Sequence, residues 1–210
     1  MTEGRVALVA PVEAWVRERL EVSGTVAHGW LHTDRVRRNI LALARAEGVD
    51  PVLAELAALL HDVGRTQPGP EEEHGARSAA LAVPLLSGLP LTDDQRAAVL
   101  HAVRWHNSAR GDTKLLLVLR DADMLDGLGA IGLMRAFMSK AHLLPYDAEA
   151  PFDLDRAQWP PIYTSDQIRL QSQFYDWLNT ETARRIAQDR VALMVAFVDQ
   201  ARREVQMADH

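Results

Sequence analysis

The chain contains no cysteine, which excludes disulfides, thiolate-held metals and a cysteine nucleophile. Any metal would have to be held by imidazole and carboxylate. No apolar run approaches the roughly 18–20 residues that a bilayer-spanning helix needs. The opening MTEGRVALVAPVEAW follows its short apolar stretch with charged residues rather than a cleavage signal. The expected location is therefore cytoplasmic, with no membrane partner. A basic excess is missing as well. Lys and Arg total 23 against 29 Asp and Glu, a formal net charge of −6. That argues against general binding to a nucleic-acid backbone, while leaving room for a local basic pocket for one small phosphorylated ligand.

What is present is the balance of a globular chain: 48% hydrophobic and 25% charged over 210 residues, enough for one domain with a sizeable core. Helical periodicity dominates, and no alternating strand is convincing. A first short helix is expected from Pro11 through Val22. After Gly24 a second helix places His28, Leu31, Val36, Ile40, Leu43 and Ala44 on one stripe and ends at Gly48. Asp50-Pro51 then supplies a cap residue and a proline at the first helical position. PVLAELAALLHD is apolar almost all round and should be central, stopping at Gly64.

Glu71–Glu73 suit the positive end of the next helix, which runs toward Leu86 with Pro84 kinking or fraying its last turn. Thr92 and Gln95 form a capping box for a helix ending near His106-Asn107. Thr113 caps one long segment, KLLLVLRDADMLDGLGAIGLMRAFMSKA. Residues 144–163 read as an irregular excursion, followed by helices at about Ser165–Leu178 and Glu181–Glu204. The late aromatics Trp159, Tyr163, Phe174, Tyr175 and Trp177 are read as core in preference to a homodimer surface or lid.

Chemistry is concentrated at a few histidines and aspartates. His61-Asp62 ends the most apolar helix, where an unpartnered carboxylate would be strongly disfavoured and a divalent cation would offset the cost. Adjacent helical residues do not share a face, so two consecutive ligands need a distorted helix end, which Gly64 can provide. His32 stands upstream in HGWLHTDRVRRNILALA. Downstream, DADMLDGLGAIGLMR packs three carboxylates into six residues. His74 and His106 lie between.

The order His…His-Asp…His…His…Asp resembles that of the HD-domain superfamily of metal-dependent phosphohydrolases, in particular small bacterial HD proteins. The similarity runs over nearly the whole chain. It is carried by His-x-x-x-His-x-x-Arg-Val at 28–36, Leu-His-Asp-Val-Gly at 60–64, Asp-Ala-Asp-x-Leu-Asp-x-Leu-Gly-Ala-Ile-Gly at 121–132, and Thr182-Ala183-Arg184 with Ile186, Ala187, Arg190 and Phe197.

The resemblance implies a compact all-α bundle of about 7–9 helices forming a single HD domain over 1–210. The metal-site core would span about 25–130, and C-terminal helices at about 165–205 would pack on it. It implies one divalent ion (Mn, Fe, Ni, Co, Zn or Mg) held by His32, His61, Asp62 and Asp123. Asp123 is selected over Asp121 and Asp126 by the family's Ala-Asp-x-x pattern, and Asp126 would be either an orienting partner or a solvated or capping carboxylate. His74 and His106 fall where dinuclear relatives hold a second ion and mononuclear relatives contact phosphate. Arg65 could neutralise a substrate phosphate. His28, one turn before His32, could line the same cleft, and His101 is expected to be a packing histidine. Met124 departs from the pattern, standing where relatives carry a basic residue.

The implied function is hydrolysis of a phosphate ester or anhydride of a small molecule, a nucleotide first among candidates. Asp62, Arg65, His74 and His106 would assist a metal-activated water. Two other functions remain open: a dinuclear iron oxygenase on the same scaffold and a non-catalytic nucleotide-binding domain.

Overall fold

A computed structural model describes residues 3–23, 27–157 and 160–208; Gly24, Trp159 and His210 lie outside these. The fold is all-α. Its helices are α1 Glu3–Ser23, α2 Trp30–Glu47, α3 Pro51–Leu60, α4 His74–Ser87, α5 Asp93–Trp105, α6 Lys114–Asp126, α7 Gly129–Ser139, α8 Thr164–Ser172 and α9 Glu181–Val205. A single helical turn, Phe174–Trp177, lies between the last two, and short 3-10 turns occur at Val63–Thr66, Glu71–Glu73 and Leu154–Arg156. Among the described residues the only β element is an isolated parallel bridge between Leu144 and Tyr163. The chain divides into two compact units, Met1–Asp123 and Met124–His210.

In the first unit α3 is central, packed by α1, α2 and α5. Leu56, Leu59 and Leu60 are fully buried, each contributing about 2 kcal/mol by removal from water. Asp50 caps this helix, accepting from the amides of Val52 at 2.7 Å and Leu53 at 3.3 Å. Its one buried charge, Glu55, accepts from Arg37 Nε at 2.7 Å. Asn39 of α2 reaches across to the carbonyl of Ala122 on α6 at 3.0 Å. The capping box at Thr92 and Gln95 is present.

Three boundaries differ from the sequence reading. First, α1 begins eight residues before Pro11 and runs through it. The carbonyl that Pro11 leaves without a donor belongs to Ala7, an exposed residue that water can serve. Second, the long segment after Thr113 is broken between Asp126 and Gly129. Gly129 adopts a left-handed φ of 73° and passes so close to Arg190 that an added Cβ would lie 3.0 Å from that side chain. Third, the stretch Ser165–Leu178 is interrupted at Gln173.

In the second unit α7 packs on α8 and α9, and Phe137, Phe152 and Phe197 meet edge to face. The described members of the late aromatic group do not form the core: Tyr163, Phe174 and Tyr175 are half-buried and Trp177 is exposed. Their large rings fall where helix ends meet turns, while Phe152, Ile168 and Leu178 occupy the interior.

The loop after α5, which carries His106, is tied down by Arg120 of α6. The guanidinium donates to the carbonyls of Trp105 at 2.9 Å and Gly111 at 3.0 Å, and also to those of Ser108 and Arg110. Hydrogen bonds from a charged donor contribute more than neutral ones. Arg120→Ala should therefore destabilise the chain by about 2–3 kcal/mol, read as a lower urea midpoint at unchanged slope. A loss below half a kcal/mol, roughly that of a neutral surface change, would show that the loop does not depend on this clamp.

Candidate metal centre

The helix end foreseen at Gly64 is where the site is built. α3 stops at Leu60, His61 keeps helical angles, and Asp62 turns out at φ −105° and ψ 1° into the 3-10 turn Val63–Thr66. This break lets two consecutive side chains face one point. Gly64 is required by contact: an added Cβ would lie 2.3 Å from the carbonyl oxygen of His74, and its amide donates to Ser78 Oγ at 2.7 Å. α4 is thereby pressed onto the turn, bringing His74 to the site.

Seven of the residues singled out from sequence converge within the first unit: His28, His32, His61, Asp62, His74, His106 and Asp123. His32, His61, Asp62, His74 and His106 are buried. His61 Nδ1 lies 2.7 Å from the carbonyl of Ala58, His106 Nδ1 2.8 Å from that of Val103, and His74 Nδ1 2.6 Å from that of Glu71. A carbonyl only accepts, so each Nδ1 carries the proton and each Nε2 presents a lone pair. Burial lowers the His61 pKa to about 4, against the opposing pull of Asp62 and Asp123, which keeps its ring neutral at pH 7.

The ring nitrogens and carboxylate oxygens converge. His32 Nε2 is 3.2 Å from His61 Nε2, and 3.4 Å from both Asp62 Oδ2 and Asp123 Oδ1. His61 Nε2 is 3.5 Å from Asp62 Oδ2 and 4.0 Å from Asp123 Oδ1. On the other side of the same carboxylate, Asp62 Oδ1 is 3.3 Å from His74 Nε2 and 3.7 Å from His106 Nε2, which are 3.1 Å apart. Ligand atoms about 2.1 Å from a common ion lie about 3.0 Å apart at right angles and about 3.4 Å apart at tetrahedral angles. The first nest thus has the spacing and the nitrogen–oxygen chemistry of a divalent-cation site. Asp62 faces both nests, one oxygen to each.

Burial opposes ionisation of Asp62. The groups around it, with His28 Nδ1 and Arg65 Nε bonded to its oxygens, nonetheless hold its carboxylate well below the usual range. Burial likewise opposes ionisation of Asp123, and His61 with His32 lowers its pKa. Both are anionic at neutral pH.

His28, a weaker candidate in the sequence, is firmly engaged: its Nδ1 lies 2.7 Å from Asp62 Oδ2. Arg65 Nε donates to Asp62 Oδ1 at 2.8 Å. Asp126 is not solvated: it is buried and pairs with Arg135 at 2.9 Å. Asp121 is fully buried. His101 is half-buried with Nε2 lacking a hydrogen-bond partner, and His142 is exposed. Sequence reasoning missed Glu71, which holds both Arg65 and the Nδ1 of His74. Its position one turn before His74 was the available signal.

Residues 29–128 match the HD domain family. The curated Bacillus subtilis protein YpgQ is 28% identical over 211 residues, 94% of each chain. Among solved structures, that of B. subtilis YpgQ in complex with ADP aligns with TM-score 0.74 at 23% identity, covering 99% of this chain and all of the other. An HD-superfamily hydrolase from Bacillus thuringiensis aligns with TM-score 0.71 at 25% identity, covering 96% of this chain and 98% of that one. The matched segment, residues 29–128, is an HD domain.

Removal of a cation from this nest leaves the converging lone pairs facing one another in a buried space. Chelator-treated protein should therefore be less stable than protein in Mn²⁺. At a hundredfold excess over Kd, the difference should be about 2.7 kcal/mol, seen as a rise in Tm that His61→Ala abolishes. No shift with any of Mn²⁺, Fe²⁺, Co²⁺, Ni²⁺, Zn²⁺ or Mg²⁺ would refute a metal centre here.

Proposed function

We propose that the chain is a metal-dependent phosphohydrolase acting on a nucleotide, with His32, His61, Asp62 and Asp123 holding one divalent ion. The observation that carries this reading is the nest itself: neutral imidazole nitrogens and two carboxylates converging at ligand spacing around one buried point. A divalent cation bound there supplies a Lewis acid for a phosphoryl oxygen and lowers the pKa of water toward neutrality.

The chain's own residues do the rest. Asp62 Oδ2, bonded to His28 Nδ1, is placed to receive a proton at the nest. Arg65 lines the adjoining side together with His74 and His106, and its positive charge would offset the phosphoryl oxygens as charge develops. Arg65 is suited to this because its side chain is only 14% exposed and is oriented by Asp62 and Glu71.

A nucleotide is favoured over a smaller phosphoester by a hollow of about 330 Å³ lined by Trp15, Arg19, Ser23, Thr66 and Gln67. One of its lining residues, Gln67, follows Arg65 by two positions. Arg19 lies 4.2 Å over the Trp15 ring, and aromatic and guanidinium planes are surfaces on which bases stack. The relative YpgQ, crystallised with ADP, supports the same substrate class.

The test is release of phosphate or pyrophosphate from nucleoside mono-, di- and triphosphates in each divalent metal. Asp62→Asn should lower kcat by about a thousandfold. Trp15→Ala should raise KM about tenfold with kcat nearly unchanged, as loss of a stacking surface does. Failure of the wild-type protein to hydrolyse any nucleotide would refute the activity. An unchanged KM in Trp15→Ala would refute the base-binding hollow.

A further inference from the structure

We infer that Arg65 is the resident cation of the second nest: its guanidinium takes the place of a second metal ion between Asp62, His74 and His106 and limits the centre to one ion. This rests on the metal-binding reading above. By donor set alone the second nest would suit a cation as well as the first. Asp62 Oδ1, His74 Nε2 and His106 Nε2 lie 3.1 to 3.7 Å from one another, and both histidines have committed their Nδ1 protons to backbone carbonyls. Two facing lone pairs 3.1 Å apart call for positive charge beside them.

Arg65 supplies that charge from within the chain. Its Nε donates to Asp62 Oδ1 at 2.8 Å and its Nη2 lies 3.3 Å from His74 Nε2, so it engages two of the three acceptor atoms. A guanidinium has no lone pair and does not lose its proton in proteins. It therefore cannot become a ligand, and a second ion would have to displace it. Displacement is opposed by the setting. Nη1 is engaged by Glu71, the side chain is largely buried, and the preceding Gly64 is fixed by the hydrogen bond its N–H donates to Ser78 Oγ. The same Asp62 carboxylate meets the metal nest through Oδ2 and the arginine through Oδ1, so the two cations share one anion without sharing an oxygen.

The experiment is metal stoichiometry, independent of catalysis. Wild-type protein, Arg65→Gln and the double variant Arg65→Gln/His106→Ala are equilibrated with excess Mn²⁺, freed of unbound ion and analysed for manganese per chain, with folding checked by circular dichroism. The expected result is one ion in the wild type, two in Arg65→Gln and one again in the double variant. Electron paramagnetic resonance should show isolated Mn²⁺ in the first and third and a spin-coupled pair in the second. Two ions in the wild type would overturn the inference, as would one ion in a folded Arg65→Gln. If Arg65→Gln does not fold, Mn²⁺ titration of the wild type decides: saturation at one isolated ion agrees with the inference, and a coupled second ion overturns it. A wild type that binds no metal would overturn both this inference and the metal-dependent reading beneath it.

Discussion

The site depends on the placement of a carboxylate, Asp62, at the end of the most apolar helix in the chain. An isolated ionised carboxylate in such surroundings would be neutralised by protonation. Here it lies among His32, His61, His74 and His106 and is bonded by His28 and Arg65, which hold it anionic. Its two oxygens divide the surrounding groups into a nest shared with Asp123 and a nest occupied by Arg65. Removing this one side chain would leave His74 and His106 facing each other without its carboxylate and His32 and His61 with Asp123 alone.

The backbone makes this arrangement attainable. His61 and Asp62 can face one point because α3 gives way to a 3-10 turn after Leu60. The turn can pack against α4 because Gly64 has no Cβ to collide with the His74 carbonyl. Arg120 holds the loop that follows His106. The histidines are thus fixed by helix ends and by carbonyl bonds to Nδ1, a mode of support that orients the ring and sets the tautomer together.

Much of this was legible beforehand. The stripe of α2 from Val36 through Ala44, the burial of α3, the Asp50 cap and the Thr92–Gln95 box follow from periodicity and capping chemistry, and His32, His61, Asp62, His74, His106 and Asp123 do come together; Leu31, expected on that stripe, is exposed, and His28 precedes the helix, which starts at Trp30. What escaped prediction has physical causes. Pro11 marks a helix start only when the turn before it is unfavourable, and an exposed carbonyl at Ala7 removes that penalty. The break at Gly127–Gly129 depends on a close approach to Arg190, a contact 61 positions away in sequence. Asp126 was read as an orienting partner or a solvated or capping carboxylate, but its partner Arg135 lies beyond that break. The roles of His28 and Glu71 are set by tertiary packing, which spacing along one helix does not reveal.

The central claim is that His32, His61, Asp62 and Asp123 form a divalent-cation centre. Anomalous diffraction from crystals grown in Mn²⁺ tests it directly, because the scattering locates the ion without reference to activity. The account predicts one strong peak bounded by these four side chains, with Arg65 still on Asp62. A density map with no peak there, or with the ion held elsewhere by residues outside this cluster, would contradict it.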